Sequence, residues 1–225
     1  MRFIIEFDGP VFDPAPVYYA AHQAAAGDVG WSRLDQATFW RLLRTKGRQA
    51  DFLPAAKPIK IAEYDKRFDH HLESDALVSV YQPHQDIRDS LNHLMRMGTC
   101  RLITLGSNVA GRVKSLEKHG LANLFTGFDR LDADPRRRPA DLRRLCEGDS
   151  RSLVVASSDS VLRSAGEAGL LCVGVATGTS SVARLHQAGA GVVYKAFHEL
   201  ADSIRDGAAD LIKAGLLPRS LDAPS

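Results

Sequence analysis

The chain has 225 residues, of which 44% are hydrophobic and 25% charged, with a formal net charge of only +2. These proportions are typical of a soluble globular protein, and the length allows one large core with a smaller second domain. No apolar stretch approaches the roughly 20 residues needed to span a bilayer, and the start of the chain lacks a secretory signal pattern. We therefore predict a cytoplasmic protein without membrane contact.

Two further classes are disfavoured by composition. The basic segments at residues 136–138 and 143–144 have few aromatic residues among them that could stack on bases, so no nucleic-acid partner is predicted. The cysteines are odd in number, far apart and without a CxxC pair, so neither a disulfide framework nor a zinc site is predicted.

Short apolar runs alternate with amphipathic stretches along most of the chain. The runs predict strands at residues 3–5, 102–105, 153–156, 171–175 and 191–194. The stretches predict helices at residues 86–97, 109–119, 160–168 and 197–212. This alternation indicates an α/β protein with a Rossmann-like parallel sheet covered by helices on both faces. Ligands of such sheets bind beyond the carboxyl ends of the strands.

Residues 14–83 interrupt this alternation. Helical patterns cover residues 17–26, 34–44 and 61–72, and no clear strand lies between them. We predict an inserted α-helical cap domain at 14–83, and a core formed by residues 1–13 and 84–225.

The first predicted strand runs directly into Glu6, Asp8, Gly9 and Pro10. Here the chain resembles the haloacid dehalogenase (HAD)-like hydrolase superfamily, and within it the phosphoglycolate-phosphatase-like branch that carries a helical cap. The first motif of that superfamily is a strand followed by Asp-x-Asp-Gly-Thr. Nearly the whole chain follows the order and spacing of the four motifs, although each motif is degenerate.

The resemblance implies roles for the acids of the first motif. Glu6 stands where the aspartate nucleophile attacks phosphorus, Asp8 stands where an acid exchanges protons with the leaving group and water, and Gly9 lies in the substrate-binding turn. Mg²⁺ would be held by Glu6, by the backbone carbonyl of Asp8 and by an acid of the fourth motif. Ser157 replaces that acid, so a weak or absent metal site is expected, with Mg²⁺ as cofactor only if the protein is active.

The remaining motifs supply further candidates. The second motif requires a hydroxyl at a strand end, and both Thr104 and Ser107, with Asn108 following, are open alternatives. Spacing favours Thr104. Arg138 stands in place of the phosphate-binding lysine of the third motif, and keeps its charge with a different geometry. Lys46 and Arg48 of the cap could contact an anionic substrate. Asp159 is interpreted as an acid in the first turn of the following helix.

Two functions follow. The first is a phosphatase-like protein with weak or absent hydrolase activity, whose fold binds a small anionic or phosphorylated molecule or a protein partner. The alternative is an active Mg²⁺-dependent hydrolase of small phosphomonoesters that uses Glu6 and Asp8, with Thr104 and Arg138 holding the phosphate.

Overall fold

The computed structural model describes residues 1–47, 58–147 and 151–217. Its strands, in chain order, are β1 (Arg2–Glu6), β2 (Phe12–Asp13), β3 (Gln82–Pro83), β4 (Thr99–Thr104), β5 (Phe128–Arg130), β6 (Ser152–Ala156), β7 (Leu171–Val175) and β8 (Val192–Tyr194). Its helices are α1 (Ala15–Asp28), α2 (Gln36–Lys46), α3 (Pro58–Leu72), α4 (Asp75–Val78), α5 (Ile87–Met97), α6 (Val109–Lys118), α7 (Arg138–Cys146), α8 (Asp159–Glu167), α9 (Val182–Gln187), α10 (Phe197–Arg205) and α11 (Ala209–Lys213). Within these ranges, no helix combines the length and apolar character required to cross a bilayer.

The core of the described chain is a six-stranded parallel sheet in the order β5-β4-β1-β6-β7-β8. The predicted α/β class with a Rossmann-like sheet is confirmed. The predicted strands correspond to β1, β4, β6, β7 and β8, whereas β5 was not predicted. Of the three residues of β5 only Phe128 is apolar, and none is fully buried, so the strand lacks the apolar run that marks the others.

Alternating side chains of each strand enter two separate cores. Phe3 and Ile5 pack on one face of β1, in the cluster that extends into the helical insertion. Ile4 packs on the opposite face with Val154 and Val161. Because successive strand side chains point to opposite faces, a segment buried on both sides must be apolar throughout, as residues 3–5 of β1 and 153–156 of β6 are.

Helices α1 to α4 lie between the short strands β2 and β3, which pair antiparallel through Phe12 and Pro83. These helices fall inside the segment predicted as a cap, and we call residues 14–83 the helical insertion. The division of the chain into two domains at these boundaries stays a prediction. The predicted Arg48 contact lies outside the described residues.

The helix predicted over residues 197–212 is wrong in its extent. The chain forms α10, leaves the helix at Asp206, and forms the separate helix α11. Gly207 and Ala208 both have positive φ, of 96° and 54°. A left-handed pair cannot continue a right-handed helix, and an apolar stripe does not reveal such a break.

A buried histidine of the helical insertion gives the first testable prediction. His22 is fully buried in α1. Its Nε2 accepts the backbone N–H of Leu34 at 3.2 Å, so the proton is on Nδ1, which lies 2.7 Å from the Tyr64 hydroxyl. Burial lowers the pKa of His22 from 6.5 to about 4, because the charged ring would lose its hydration.

Stability should therefore fall as the solution is acidified. The unfolded chain takes up a proton near pH 6.5, whereas the folded chain resists until about pH 4. Over that window the free energy of unfolding should drop by about 3 kcal/mol from His22 alone. Urea denaturation at pH 7.5 and 4.5 measures the drop. It should shrink in His22→Phe and persist in the matched variant His198→Gln, which changes an exposed histidine; an unchanged drop in His22→Phe contradicts the prediction.

Candidate active site

The carboxyl ends of three neighbouring strands bring the predicted motif residues together. Glu6 is the last residue of β1, Thr104 is the last residue of β4, and Ser157 follows β6 directly. Because β1 lies between β4 and β6, these three residues meet at one edge of the sheet. This edge is the expected position of a ligand crevice in a parallel sheet.

The carboxylate of Glu6 is buried and fully engaged by the start of α8. One oxygen accepts the backbone N–H groups of Ser157 and Ser158 at 2.7 and 3.0 Å, and the other accepts the Ser158 hydroxyl at 2.6 Å. Burial raises the pKa of Glu6 to about 7, against the lowering effect of the hydrogen bonds from Ser158 and Ser157. Glu6 thus accepts the free donors at the N-terminus of α8.

Ser157 fills the space beside Glu6. Its hydroxyl donates to the backbone carbonyl oxygen of Asp8 at 2.6 Å. Gly9 and Gly178 lie on either side, and a Cβ added to either glycine would come within 2.1 or 1.9 Å of the Ser157 Oγ. Gly9 also has a φ of +99°, a conformation that favours glycine. The fit around Ser157 therefore depends on both glycines.

The residues present do not fit a magnesium site. The Glu6 oxygens and the Asp8 carbonyl, which the resemblance assigns as ligands, already accept hydrogen bonds from Ser157 and Ser158. Among the described residues, no group of three or more acidic, histidine or cysteine side chains is close enough to hold a metal ion. Mg²⁺ requires several charged or carbonyl oxygen ligands in a near-octahedral arrangement, whereas the oxygens at these positions are already bound by hydroxyl and amide donors.

Asp8 is buried beside Glu6 but is held by other partners. The Tyr81 hydroxyl donates to its Oδ1, and its Oδ2 lies 3.8 Å from Nη2 of Arg112. Burial raises the pKa of Asp8, and the charge of Arg112 opposes that rise. Asp8 thus has two partners, a hydrogen bond from Tyr81 and the nearby positive charge of Arg112.

Arg112 of α6 is the site residue that the sequence interpretation missed. Its side chain is 1% exposed, and its two Nη atoms bind the carboxylate of Glu73 at 2.8 and 3.1 Å. The guanidinium also lies over the rings of Phe7 and Tyr81, at 5.7 and 5.9 Å. Burial alone would lower its pKa, but the negative charges of Asp8 and Glu73 raise it. This arginine therefore joins the core to the helical insertion.

The missing side chain of Gly106 makes room for this arginine. A Cβ at Gly106 would lie 2.2 Å from the Cζ of Arg112. We expect Gly106→Ala to displace the guanidinium and to lower the free energy of unfolding by about 1–3 kcal/mol. Chemical denaturation measures this loss. Gly166→Ala, where a Cβ would meet nothing within 4 Å, is the matched control; equal effects of the two substitutions would contradict the steric explanation.

A small cavity of about 150 Å³ lies between the sheet edge and the helical insertion. Its lining includes Glu6, Asp8, Glu73, Arg112 and Tyr18. Three of these are carboxylates and one is a cation, which is itself bound to Glu73. Acidic side chains therefore outnumber basic ones in the lining of this cavity.

The candidates of the second motif lie beside this cavity without lining it. The Thr104 Oγ1 is buried and accepts the backbone N–H of Gly106 at 3.0 Å. Ser107 is exposed. The Asn108 side chain accepts the N–H of Gly111 and donates to the carbonyl of Glu73. Which hydroxyl belongs to the motif stays open, since neither is among the residues that line the cavity.

Of the predicted cations, Arg138 and Lys46 are not among the residues that line the cavity. Arg138 is buried at the start of α7 and donates to the carbonyl oxygens of Asp132 and Ala133, each at 2.8 Å, and to the Ser160 hydroxyl. These bonds fix the loop before α7. Lys46 lines a different groove, of about 530 Å³, between the insertion and α8. That groove also contains Asp159, in the first turn of α8 as predicted, which pairs with Arg184 at 2.8 Å.

The last turn of α2 is fixed to the core beside that groove. Nη1 of Arg184 donates to the carbonyls of Leu43 and Arg44, and the N–H of Ser181 donates to the same Arg44 carbonyl at 3.0 Å. The Arg44 guanidinium donates in turn to the carbonyl of Ala176 at 2.7 Å. The helical insertion is therefore bound to the core here as well as at Arg112.

No protein-family model and no curated protein sequence matches the chain. Solved structures do match, over nearly the whole length. A haloacid dehalogenase-like family hydrolase from Streptococcus pneumoniae superposes with a TM-score of 0.72 at 12% identity, covering 90% of this chain and 97% of that one. A predicted phosphoglycolate phosphatase from Haemophilus somnus gives 0.67 at 14% identity, with 90% and 96% covered.

The chain thus has the α/β fold of the haloacid dehalogenase-like hydrolases, as the motif order indicated. More particularly, a predicted phosphatase from Clostridium acetobutylicum gives a TM-score of 0.69 at 15% identity, with 91% and 98% covered. Identities this low establish the fold, whereas function is decided by the residues of the site.

Proposed function

We propose that this protein uses the fold of a haloacid dehalogenase-like phosphatase for binding, without magnesium-dependent phosphoryl transfer. One observation carries the proposal. The Ser157 hydroxyl binds the Asp8 carbonyl at 2.6 Å, while the backbone N–H groups of Ser157 and Ser158 bind Glu6. The protein's own donors thus satisfy the oxygens that a metal and a phosphoryl group would require.

The state of Glu6 supports the absence of a nucleophile. A carboxylate nucleophile needs an oxygen with a lone pair directed at phosphorus. Both Glu6 oxygens instead accept short hydrogen bonds at the N-terminus of α8. The raised pKa of about 7 also means that much of Glu6 is protonated at neutral pH, because it is buried. A protonated, hydrogen-bonded acid is a poor nucleophile.

The cavity supports the same conclusion. Its volume of about 150 Å³ is below the roughly 300–1,000 Å³ of most small-molecule sites. The carboxylates of Asp8 and Glu73 border it beside Glu6, and Arg112 is the one cation among its described lining residues, so a phosphate group entering it would meet more acidic than basic side chains. A fold retained without turnover is suited to binding a ligand elsewhere on its surface or a protein partner, and we propose such a role.

Hydrolysis of p-nitrophenyl phosphate and a panel of phosphomonoesters, with and without Mg²⁺, tests the proposal. Wild type should be silent, and Mg²⁺ should not change its melting temperature. The variant Glu6→Asp with Ser157→Asp, checked for folding by circular dichroism, restores both missing aspartates and should gain a Mg²⁺-dependent rise in melting temperature. Mg²⁺-dependent turnover by wild type that Asp8→Asn abolishes would overturn the proposal and establish the alternative, a hydrolase using Glu6 and Asp8.

A further inference from the structure

Three arginines surround a cleft at the end of the sheet opposite the candidate active site. Arg2 and Arg101 lie near the amino-terminal ends of β1 and β4, and Arg144 lies in the last turn of α7. They line one cleft of about 430 Å³ together with Thr99 and Thr126. Leu145 completes the lining, which contains no carboxylate among the described residues.

Two of these guanidinium groups are held in place by the fold. Nη1 of Arg2 donates to the carbonyl oxygen of Leu145 at 2.6 Å. Nε of Arg101 donates to Asp129 at 2.6 Å. The Arg101 guanidinium passes close to Gly127, where an added Cβ would lie 3.0 Å from its Cζ. These contacts use one side of each guanidinium, and each group has five N–H donors.

Among the residues that the structure describes, the positive charge lining the cleft is only partly balanced by ion pairs. Asp129 compensates Arg101 at 2.6 Å, whereas the pair of Arg144 with Asp141 is long, at 4.0 Å, and exposed. By contrast, the groove that contains Lys46 includes Asp159 and Glu167 in its own lining. Cations that line one cleft repel each other, and an anion bound between them is attracted by all of them.

We propose that this cleft binds a small molecule that carries two or more phosphate groups. Arginine forks match phosphate oxygens in pairs. Thr99 adds a neutral hydroxyl to the lining, whereas the Thr126 hydroxyl donates to the carbonyl oxygen of Cys100 at 3.2 Å. The volume lies within the roughly 300–1,000 Å³ range of small-molecule sites, which is more than one phosphate group needs. This site does not depend on the function proposed above, since no residue of the candidate active site takes part in it.

Isothermal titration calorimetry of the full chain tests the site, with pyrophosphate, tripolyphosphate and inorganic phosphate at constant ionic strength. We expect saturable binding that tightens with the number of phosphate groups. Arg144→Gln removes an exposed side chain that anchors no backbone, and should weaken tripolyphosphate binding about tenfold. Arg101→Gln combined with Arg144→Gln should weaken it further.

Two matched variants locate the binding. Arg96→Gln removes an exposed arginine of α5 outside the cleft, and Lys46→Gln alters the other basic groove; both should bind as wild type does. No saturable binding by wild type overturns the proposal. So does a loss in Lys46→Gln with none in Arg144→Gln, or an equal loss in Arg96→Gln, which would indicate unspecific charge attraction. The phosphatase assay does not affect the outcome of the binding experiment. Either proposal can therefore be contradicted while the other stands.

Discussion

Replacing Arg112 with methionine should lower the free energy of unfolding by about 3–5 kcal/mol, the usual cost of removing one partner of a buried ion pair. The Arg112 side chain is 1% exposed and binds Glu73 through both Nη atoms, with Asp8 3.8 Å away. Without the cation, the buried Asp8 and the half-buried Glu73 would both lose their countercharge. Equilibrium denaturation in urea measures the loss.

A matched control and a rescue make this prediction specific. Arg163→Met removes an arginine that also pairs with an aspartate but is 59% exposed, and should cost no more than about 1 kcal/mol. Adding Glu73→Gln and Asp8→Asn to Arg112→Met removes the stranded charges and should recover part of the loss. A loss below about 1 kcal/mol in Arg112→Met would mean that water reaches the pair, and would contradict the structure.

At Glu6 we expect the length of the side chain to affect the free energy of unfolding more than its charge does. Glu6→Asp keeps the carboxylate but is one methylene shorter, so it cannot reach the N–H groups of Ser157 and Ser158. Leaving such buried donors unsatisfied should cost about 2–4 kcal/mol. In Glu6→Gln the amide oxygen can accept the same N–H groups, and its NH₂ can donate to the Ser158 hydroxyl. Glu6→Gln should therefore lie within about 1 kcal/mol of wild type near pH 7.

Thermal and urea unfolding of the two variants at pH 7 decide this point. If Glu6→Asp is as stable as wild type while Glu6→Gln is not, then Glu6 acts through its charge, as a catalytic carboxylate would. The opposite order supports a structural acid that closes the start of α8. Ser158→Ala, which removes only the hydroxyl that binds Glu6 at 2.6 Å, should fall between them.

The fold could be predicted from sequence because it depends on patterns that repeat. Strand segments such as residues 153–156 are buried on both faces of the sheet and are therefore apolar at every position, which can be recognised in the sequence. Glu6, Asp8 and Ser157 were found because each follows a predicted strand. The short strand β5 and the break before α11 were missed, because a half-exposed strand has no continuous apolar run and a left-handed turn does not change the apolar pattern.

The partners within the site could not be predicted. In α6 the buried residues are Arg112, Ser115 and Leu116, of which only Leu116 is apolar, whereas an arginine normally faces solvent. Only the tertiary structure places Glu73 and Asp8 around it and stacks it near Phe7. Likewise, sequence marks Ser157 as a missing acid, but not as a hydroxyl that binds the Asp8 carbonyl between two glycines.

Two arginines, Arg184 and Arg112, connect the helical insertion to the core beside the apolar cluster that both share. Arg184 holds the carbonyls at the end of α2, and Arg112 holds Glu73 just after α3. Swinging the insertion away would break both sets of contacts at once and expose the apolar cluster that it shares with the sheet. The free energy of that opening approaches the free energy of global unfolding. Amide protons of α1 should accordingly exchange with solvent as slowly as those of β1, so that insertion and sheet behave as one cooperative unit.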